Sequence, residues 1–401
     1  MHSRAFLLGG GVLLAASGVF FAADNPKLPP PYATPSANNG PRVIPKPTDA
    51  RLNVPAGFKA EVWSDEDFIR PRYMLLGPSN EILLADSGHG LNRGEPQRDG
   101  KIYVFDANKQ RKTLIDNLYQ PYGIAYLNGN LYVGESDSVK RYPYDTKTMT
   151  AGPGVEIISL KGQDTHHWTR SVLIDRAGKK IYVGVGSASN VSTGEDPRRA
   201  AISVYNIDGS GHEIYASGTR NPIGIHWYPG TDTMWAAVQE RDDLGDDLVP
   251  DYFTHIEKGG FYGWPYAYIG PHEDPRNKGL RPDLVAKTIV PDVLLGAHVA
   301  VLDFAFYTGK QFPAEYQGGA FLCFHGSWNR SMRVGQSIGF IPFRNGKPSG
   351  ALREVMTGWM IAPDKREVWG RPVALLQIPD GSLLISDDGG RKIWHLSYTG
   401  H

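Results

Sequence analysis

One unit recurs along most of the chain: an apolar alternating stretch, a Gly/Asn/Asp turn, and a second apolar stretch ending in a polar residue. It is read at Arg72 to Asp86, Gly123 to Glu135, Arg170 to Gly184, Ile223 to Ala237 and Arg371 to Asp387, with a looser copy from Val299 to Phe324. With starts near 72, 121, 170, 221, 299 and 371, successive units lie about 49, 49, 51, 78 and 72 residues apart. Alternation of period two on either side of a turn is a β-hairpin. A repeat of roughly 40–50 residues holding several strands marks the blades of a propeller. One such sheet cannot bury both faces, whereas six packed around an axis do so and leave only short edges. An open pair of β-sandwiches would explain the strands but not the period. The pattern predicts an all-β, six-bladed β-propeller over residues 56–401, with insertions on one face in the two long intervals.

Composition agrees with many short strands. Gly 47 and Pro 30 supply an excess of turn-forming residues. Lys+Arg 42 balance Asp+Glu 42, so there is no basic surplus to neutralise nucleic-acid phosphates. The single cysteine, Cys323, cannot form an intrachain disulfide or attach a c-type haem. No Gly-x-Gly-x-x-Gly opens a helix after a strand, which argues against a nicotinamide or flavin fold. Residues 1–23 run from Arg4 through an apolar stretch to Ala22-Ala23, the pattern of a secretory signal. The alternative is an uncleaved anchor. A cleaved signal implies a periplasmic or secreted protein with no membrane span in the mature chain. Residues 24–55 are rich in Pro, Asn and Ser and read as an extended leader lying on the body, or as a linker.

In a propeller the starts of the innermost strands face one central mouth, so residues distant in sequence converge there. Asp164-Thr-His166-His167-Trp168 precedes the third unit. Neighbours on extended backbone point to opposite faces, so either one histidine is a base at the site and the other structural, or both are surface or hydrogen-bonded core histidines. Arg220 and Asn221 enter the fourth unit; an arginine there either forks onto an anion or ties blades together. Glu240-Arg-Asp242-Asp243-Leu-Gly-Asp246-Asp247 is an acidic cluster, either a hard-cation site or a solvated loop. His325-Gly-Ser-Trp-Asn329-Arg330 and Trp369-Gly-Arg371 occupy equivalent mouth positions. Arg220, Arg330 and Arg371 together point to an anionic ligand on the axis.

These motifs, with Gly-Gly-x-Tyr-Gly-Trp-Pro and Trp-Gly-Arg-Pro-Val, occur together over about residues 50–400. In combination they resemble the sorbosone dehydrogenase branch of the soluble PQQ-dependent glucose/aldose sugar dehydrogenases. The resemblance implies a six-bladed propeller with PQQ and Ca²⁺ at the axial mouth. It implies oxidation of a sugar or related alcohol or aldehyde, and passage of electrons to a separate cytochrome or quinone. Position by position, His167 matches the general base, Arg220 and Asn221 match cofactor-binding positions, and Arg371 matches the arginine over the PQQ carboxylates. Asn329 falls where some relatives carry Lys, beside Arg330, and Gln120 falls near a position that binds sugar or cofactor. Asp242 and Asp243 fall where backbone carbonyls bind Ca²⁺, although relatives outside this branch have Gly-Pro there. The alternatives from other classes are a calcium-dependent lactonase or other hydrolase, and a non-catalytic propeller binding glycan or protein.

Overall fold

The computed structural model describes residues 26–92, 94–164 and 166–400. The secretory-signal expectation for residues 1–23 lies outside them. Six antiparallel sheets of four principal strands form a ring, the six-bladed β-propeller expected from the repeat. The innermost strands are Pro71–Leu76, Ile124–Leu127, Arg170–Ile174, Asn221–Trp227, Val301–Phe306 and Pro372–Gln377. Each pairs with the strand after its turn, as Arg170–Ile174 does with Lys180–Val185. The units read from the sequence are these inner hairpins.

The ring closes through a strand that the repeat did not include. Phe58–Ser64 is the outer strand of the sixth blade and pairs antiparallel with Lys392–Tyr398, with Ala60 opposite Leu396. The two ends of the propeller therefore share one sheet, and the sixth blade is not left as an open three-stranded edge.

Apolar side chains alternate along the strands and fill the wedges between blades. Leu83 and Ala85 of the first blade pack with Ile124, Leu131 and Val133 of the second. Tyr132 and Val139 of the second pack with Val172, Ile181 and Val183 of the third. Towards the axis the blades approach so closely that only glycine fits at some positions. A Cβ on Gly134 would lie 2.5 Å from the Arg170 carbonyl oxygen.

The long interval in the fourth blade holds an insertion between Pro250–His255 and Val293–Ala297. It carries the hairpin Ala267–Tyr268/His272–Glu273 and the short helix Pro282–Val285. It reaches the mouth loops, where Arg276 Nη1 donates to the Asp242 carbonyl at 2.9 Å. The leader also runs over the body. Tyr32 N donates to Leu244 O, Asn39 N to Trp328 O and Arg42 N to Arg366 O, and Arg42–Val43 pairs in parallel with Glu367–Val368. Among the described residues no helix is long and apolar enough to cross a membrane.

Candidate active site at the axial mouth

A cavity of about 250 Å³ opens where the inner strands begin, slightly below the usual size range for ligand pockets. Its walls include His166, His167, Arg220, Asn221, Asp242 and Arg371. The topology thus brings together residues separated by some two hundred positions in the chain.

His167 lies three residues before the third inner strand. Its carbonyl is held by Arg170 Nη1 at 3.0 Å and Arg199 Nη1 at 3.1 Å. Its Nδ1 lies 2.9 Å from the Ser187 carbonyl oxygen. A carbonyl only accepts, so Nδ1 carries the hydrogen and Nε2 keeps its lone pair. Burial, then the positive charge of Arg220 and the neighbouring His166, holds His167 well below the usual imidazole range. The ring is therefore a neutral acceptor at pH 7. His166 does not turn away as extended backbone would require. Its φ is 60°, in the left-handed region, its ring centroid is 4.2 Å from that of His167, and both line the cavity.

On the opposite wall Arg371 donates from Nε to the His325 carbonyl at 3.2 Å. That is its only side-chain hydrogen bond among the described residues. Burial, with Arg72 and Arg333 adding repulsion, lowers it to about 10 despite Asp388 nearby. Arg72 Nη1 donates to Asp388 Oδ2. The same guanidinium lies over the Trp168 ring at 5.1 Å, and its Nε is buried without a partner. His325 Nε2 lies 2.8 Å from Asp388 Oδ1, and burial with the adjacent Arg371 pushes His325 down to about 4. Asp388 thus faces two arginines, with Asp387 also close to Arg371, and the wall keeps unspent N–H donors on Arg371 and Arg72.

Arg220 is used differently. It donates to Asn190 O, Glu240 O, Asn190 Oδ1 and Asp242 Oδ2 at 3.2, 2.6, 3.1 and 3.1 Å. It ties two mouth loops together, the second of the two roles left open by the sequence, and its charge still borders the cavity. Asn221 Nδ2 is bound to Gln239 Oε1 at 2.8 Å, while its Oδ1 is buried without a partner.

Four other nominated residues stand behind the cavity wall. Gln120 Oε1 accepts from Ser136 Oγ at 3.2 Å, and Ser136 Oγ also holds the Trp168 carbonyl. Asn329 accepts from Asp243 N at 2.8 Å and donates to Asp243 Oδ1 and Ala37 O. Arg330 pairs with Asp247 at 2.8 Å and donates to the Asp246 carbonyl. The loop presents Trp328 to the cavity and turns its two followers back onto the acidic loop. Asp243 is held by Asn329 and Asn190.

Of the two carbonyls expected to bind Ca²⁺, that of Asp242 does not fit a metal in this arrangement. The Asp242 carbonyl already accepts from Asn190 Nδ2 at 3.1 Å and Arg276 Nη1 at 2.9 Å, which occupies both of its lone pairs. Its carboxylate lies between Arg220 and His298 instead. Among the described residues no group of three or more His, Cys, Asp or Glu is placed to hold a metal ion.

Sequence reasoning did not nominate Arg72 or His298, and it named His325 only as part of a mouth motif, with no role. Aligned on strand starts, Arg371 before Pro372 matches Arg70 before Pro71, so Arg72 has no repeat signal. His298 precedes its inner strand by three residues as His167 does, and that alignment would have found it.

Residues 52–251 and 284–399 match the model of the TrAA12-like family. The chain belongs to that family. The unmatched stretch of this TrAA12-like protein includes much of the fourth-blade insertion. It is 28% identical over 362 residues to a Borreliella burgdorferi protein, covering 86% of this chain and 91% of that one. It is 25% identical over 412 residues to a pyrroloquinoline quinone-dependent pyranose dehydrogenase of Coprinopsis cinerea. That alignment covers 86% of this chain and 54% of the enzyme, so the chain spans about half its length. The calcium structure of a Trichoderma reesei protein of Carbohydrate-Active Enzymes Family AA12 superposes with a TM-score of 0.72 at 21% identity, covering 90% and 99% of the two chains. The holo PQQ domain of the Coprinopsis cinerea pyranose dehydrogenase superposes at 0.71 and 20%, covering 88% and 98%. At these identities the two structures speak to the propeller fold of the TrAA12-like chain.

Proposed function

We propose that this protein is a PQQ-dependent oxidoreductase that oxidises a sugar or a related alcohol or aldehyde. The carrying observation is a neutral His167, with Nε2 open, bordering a cavity whose far wall holds unspent arginine donors. The similarity to a pyrroloquinoline quinone-dependent pyranose dehydrogenase supports the same reading, as does that of 27% of this chain to an aldose sugar dehydrogenase. The sorbosone branch is a finer assignment that rests on the motifs.

PQQ, an ortho-quinone with three carboxylates, supplies a hydride acceptor when bound. Arg371 and Arg72 would hold its carboxylates, since guanidinium N–H groups match that geometry in pairs. Asn221 Oδ1, buried without a partner, would accept one further hydrogen bond. Oxidising an alcohol carbon removes a hydride from carbon and a proton from oxygen, leaving a carbonyl. His167 Nε2 would take that proton, and Ser187 would hold the imidazole in the tautomer that permits it. No step is assigned to calcium. The hydrolase alternative needs free carboxylates aimed at a metal; Asp242 and Asp251 are bound by protein donors, and Glu240, with Oε1 unpartnered, is neutralised by Arg241 through Oε2.

The reduced cofactor would pass electrons to an external acceptor, a cytochrome or quinone, in the periplasm or outside the cell. The test is to titrate purified protein with PQQ and then assay a sugar panel with a dye acceptor. Saturable PQQ uptake with sugar-dependent dye reduction is expected; no uptake ends the proposal.

A further inference from the structure

The loop after Phe324 inverts the usual sorting of residues. Ser327 and Asn329 are 1% and 2% exposed, while Trp328 between them is 44% exposed. A single exposed apolar side chain is ordinary; this one is set apart by its place on the cavity wall.

The inversion is built into the structure. Ser327 N donates to Val334 O at 2.9 Å, and Val334 N donates to Ser327 Oγ at 3.1 Å. Arg333 Nη1 donates to the Ser327 carbonyl at 2.6 Å. Asn39 of the leader donates to the Trp328 carbonyl at 2.7 Å. Asn329 is locked to Asp243 and Ala37. The backbone on both sides of the indole is therefore pinned.

The indole borders the same cavity as His167 and Arg371. Among the described residues no ring, cation or hydrogen-bond acceptor engages its side chain. Trp168, the other tryptophan of the wall, differs. Arg70 and Arg72 lie over it at 5.7 and 5.1 Å.

Resting on the oxidoreductase reading, we infer that Trp328 is the substrate platform of the site. The apolar C–H face of a cyclic sugar stacks on its indole, which aims the hydroxyl to be oxidised at His167 Nε2. A ring sugar presents such a face, whereas a short acyclic alcohol or aldehyde does not. The platform therefore selects cyclic sugars, and it acts on substrate rather than on the cofactor.

The test compares wild type, Trp328→Ala and Trp328→Phe, each loaded with PQQ. D-glucose, D-galactose and D-xylose serve as cyclic probes, and glyceraldehyde as the acyclic one. For Trp328→Ala, KM for the cyclic probes is expected to rise about tenfold, the loss of one stacked aromatic contact. The KM for glyceraldehyde and the Kd for PQQ are expected to stay unchanged, with Trp328→Phe recovering most of the KM for the cyclic probes. An unchanged cyclic KM overturns the inference. A shifted Kd for PQQ overturns it in favour of stacking on the cofactor. Slower turnover with a protein acceptor alone overturns it in favour of a docking contact. Saturation-transfer NMR with D-glucose reads the contact without turnover. Equal saturation of the sugar C–H protons in wild type and Trp328→Ala overturns the platform even in a protein that takes up no PQQ. Absence of PQQ uptake by wild type ends the oxidoreductase reading separately.

Discussion

His167 is prepared for proton acceptance by its surroundings. Removing the imidazole in His167→Ala should leave PQQ affinity intact and lower kcat by about 10²–10⁴-fold, the usual worth of a positioned base. Rapid-mixing kinetics with a dye acceptor measure this, and near-wild-type turnover would remove His167 from the chemistry. The pH profile follows from the sign of its shift. Burial and Arg220 disfavour the imidazolium, so the base stays neutral below the ordinary value of 6.5. The kcat should stay level from neutral pH to below 6.5 and fall only in more acid buffer. An acid limb centred at or above 6.5 would contradict the assignment. On the far wall, Arg371→Ala should weaken PQQ binding by about 1.5–3 kcal/mol, the range for a hydrogen bond to a charged group. A titration would read that as roughly ten- to hundredfold in Kd.

At the scale of elements, inner hairpins and mouth loops have different tasks. The hairpins must press together near the axis, and Gly134 sits where a Cβ would meet the Arg170 carbonyl oxygen. Gly134→Ala should cost about 1–3 kcal/mol through overpacking, seen as a lower denaturant midpoint with an unchanged slope. The mouth loops are braced from outside by the leader. Asn39 Nδ2 donates to Ser331 O at 2.9 Å and Arg330 O at 3.1 Å, and Asp246 N donates to Thr34 Oγ1 at 2.7 Å. The leader is thus part of the rim that carries Trp328 and the acidic loop. The insertion of the fourth blade reaches the same rim through Arg276, which explains why a long interval between units matters to the site.

For the whole molecule, closure of the ring depends on Phe58–Ser64 completing the last blade against Lys392–Tyr398. Without it, the sixth sheet would expose an unpaired edge and the rings of Phe312, Tyr316 and Tyr398 that Phe58 packs against. Truncation of all residues before Asp65 should therefore lower the thermal midpoint markedly and promote aggregation through the open edge. Scanning calorimetry with light scattering checks both outcomes, and an unchanged midpoint would mean that closure carries little of the stability.

Hydrophobic alternation and its spacing were sufficient to read the blades, because strand period and turn chemistry are local properties that repeat with each unit. The same repeat indicated which segments reach the mouth, and the family resemblance then singled out His167, Arg220, Asn221, Asp242 and Arg371 within them. It could not indicate which way a side chain turns once a loop leaves the strand. Asn329 and Arg330 sit behind the wall, His166 enters it through a left-handed backbone, and the Asp242 carbonyl is engaged by Arg276 from a distant insertion. The strand that closes the ring was equally hidden, since its partner lies at the other end of the chain. Periodicity is written in neighbouring residues, whereas these outcomes depend on contacts between segments far apart in sequence, which only the folded ring brings within hydrogen-bonding distance.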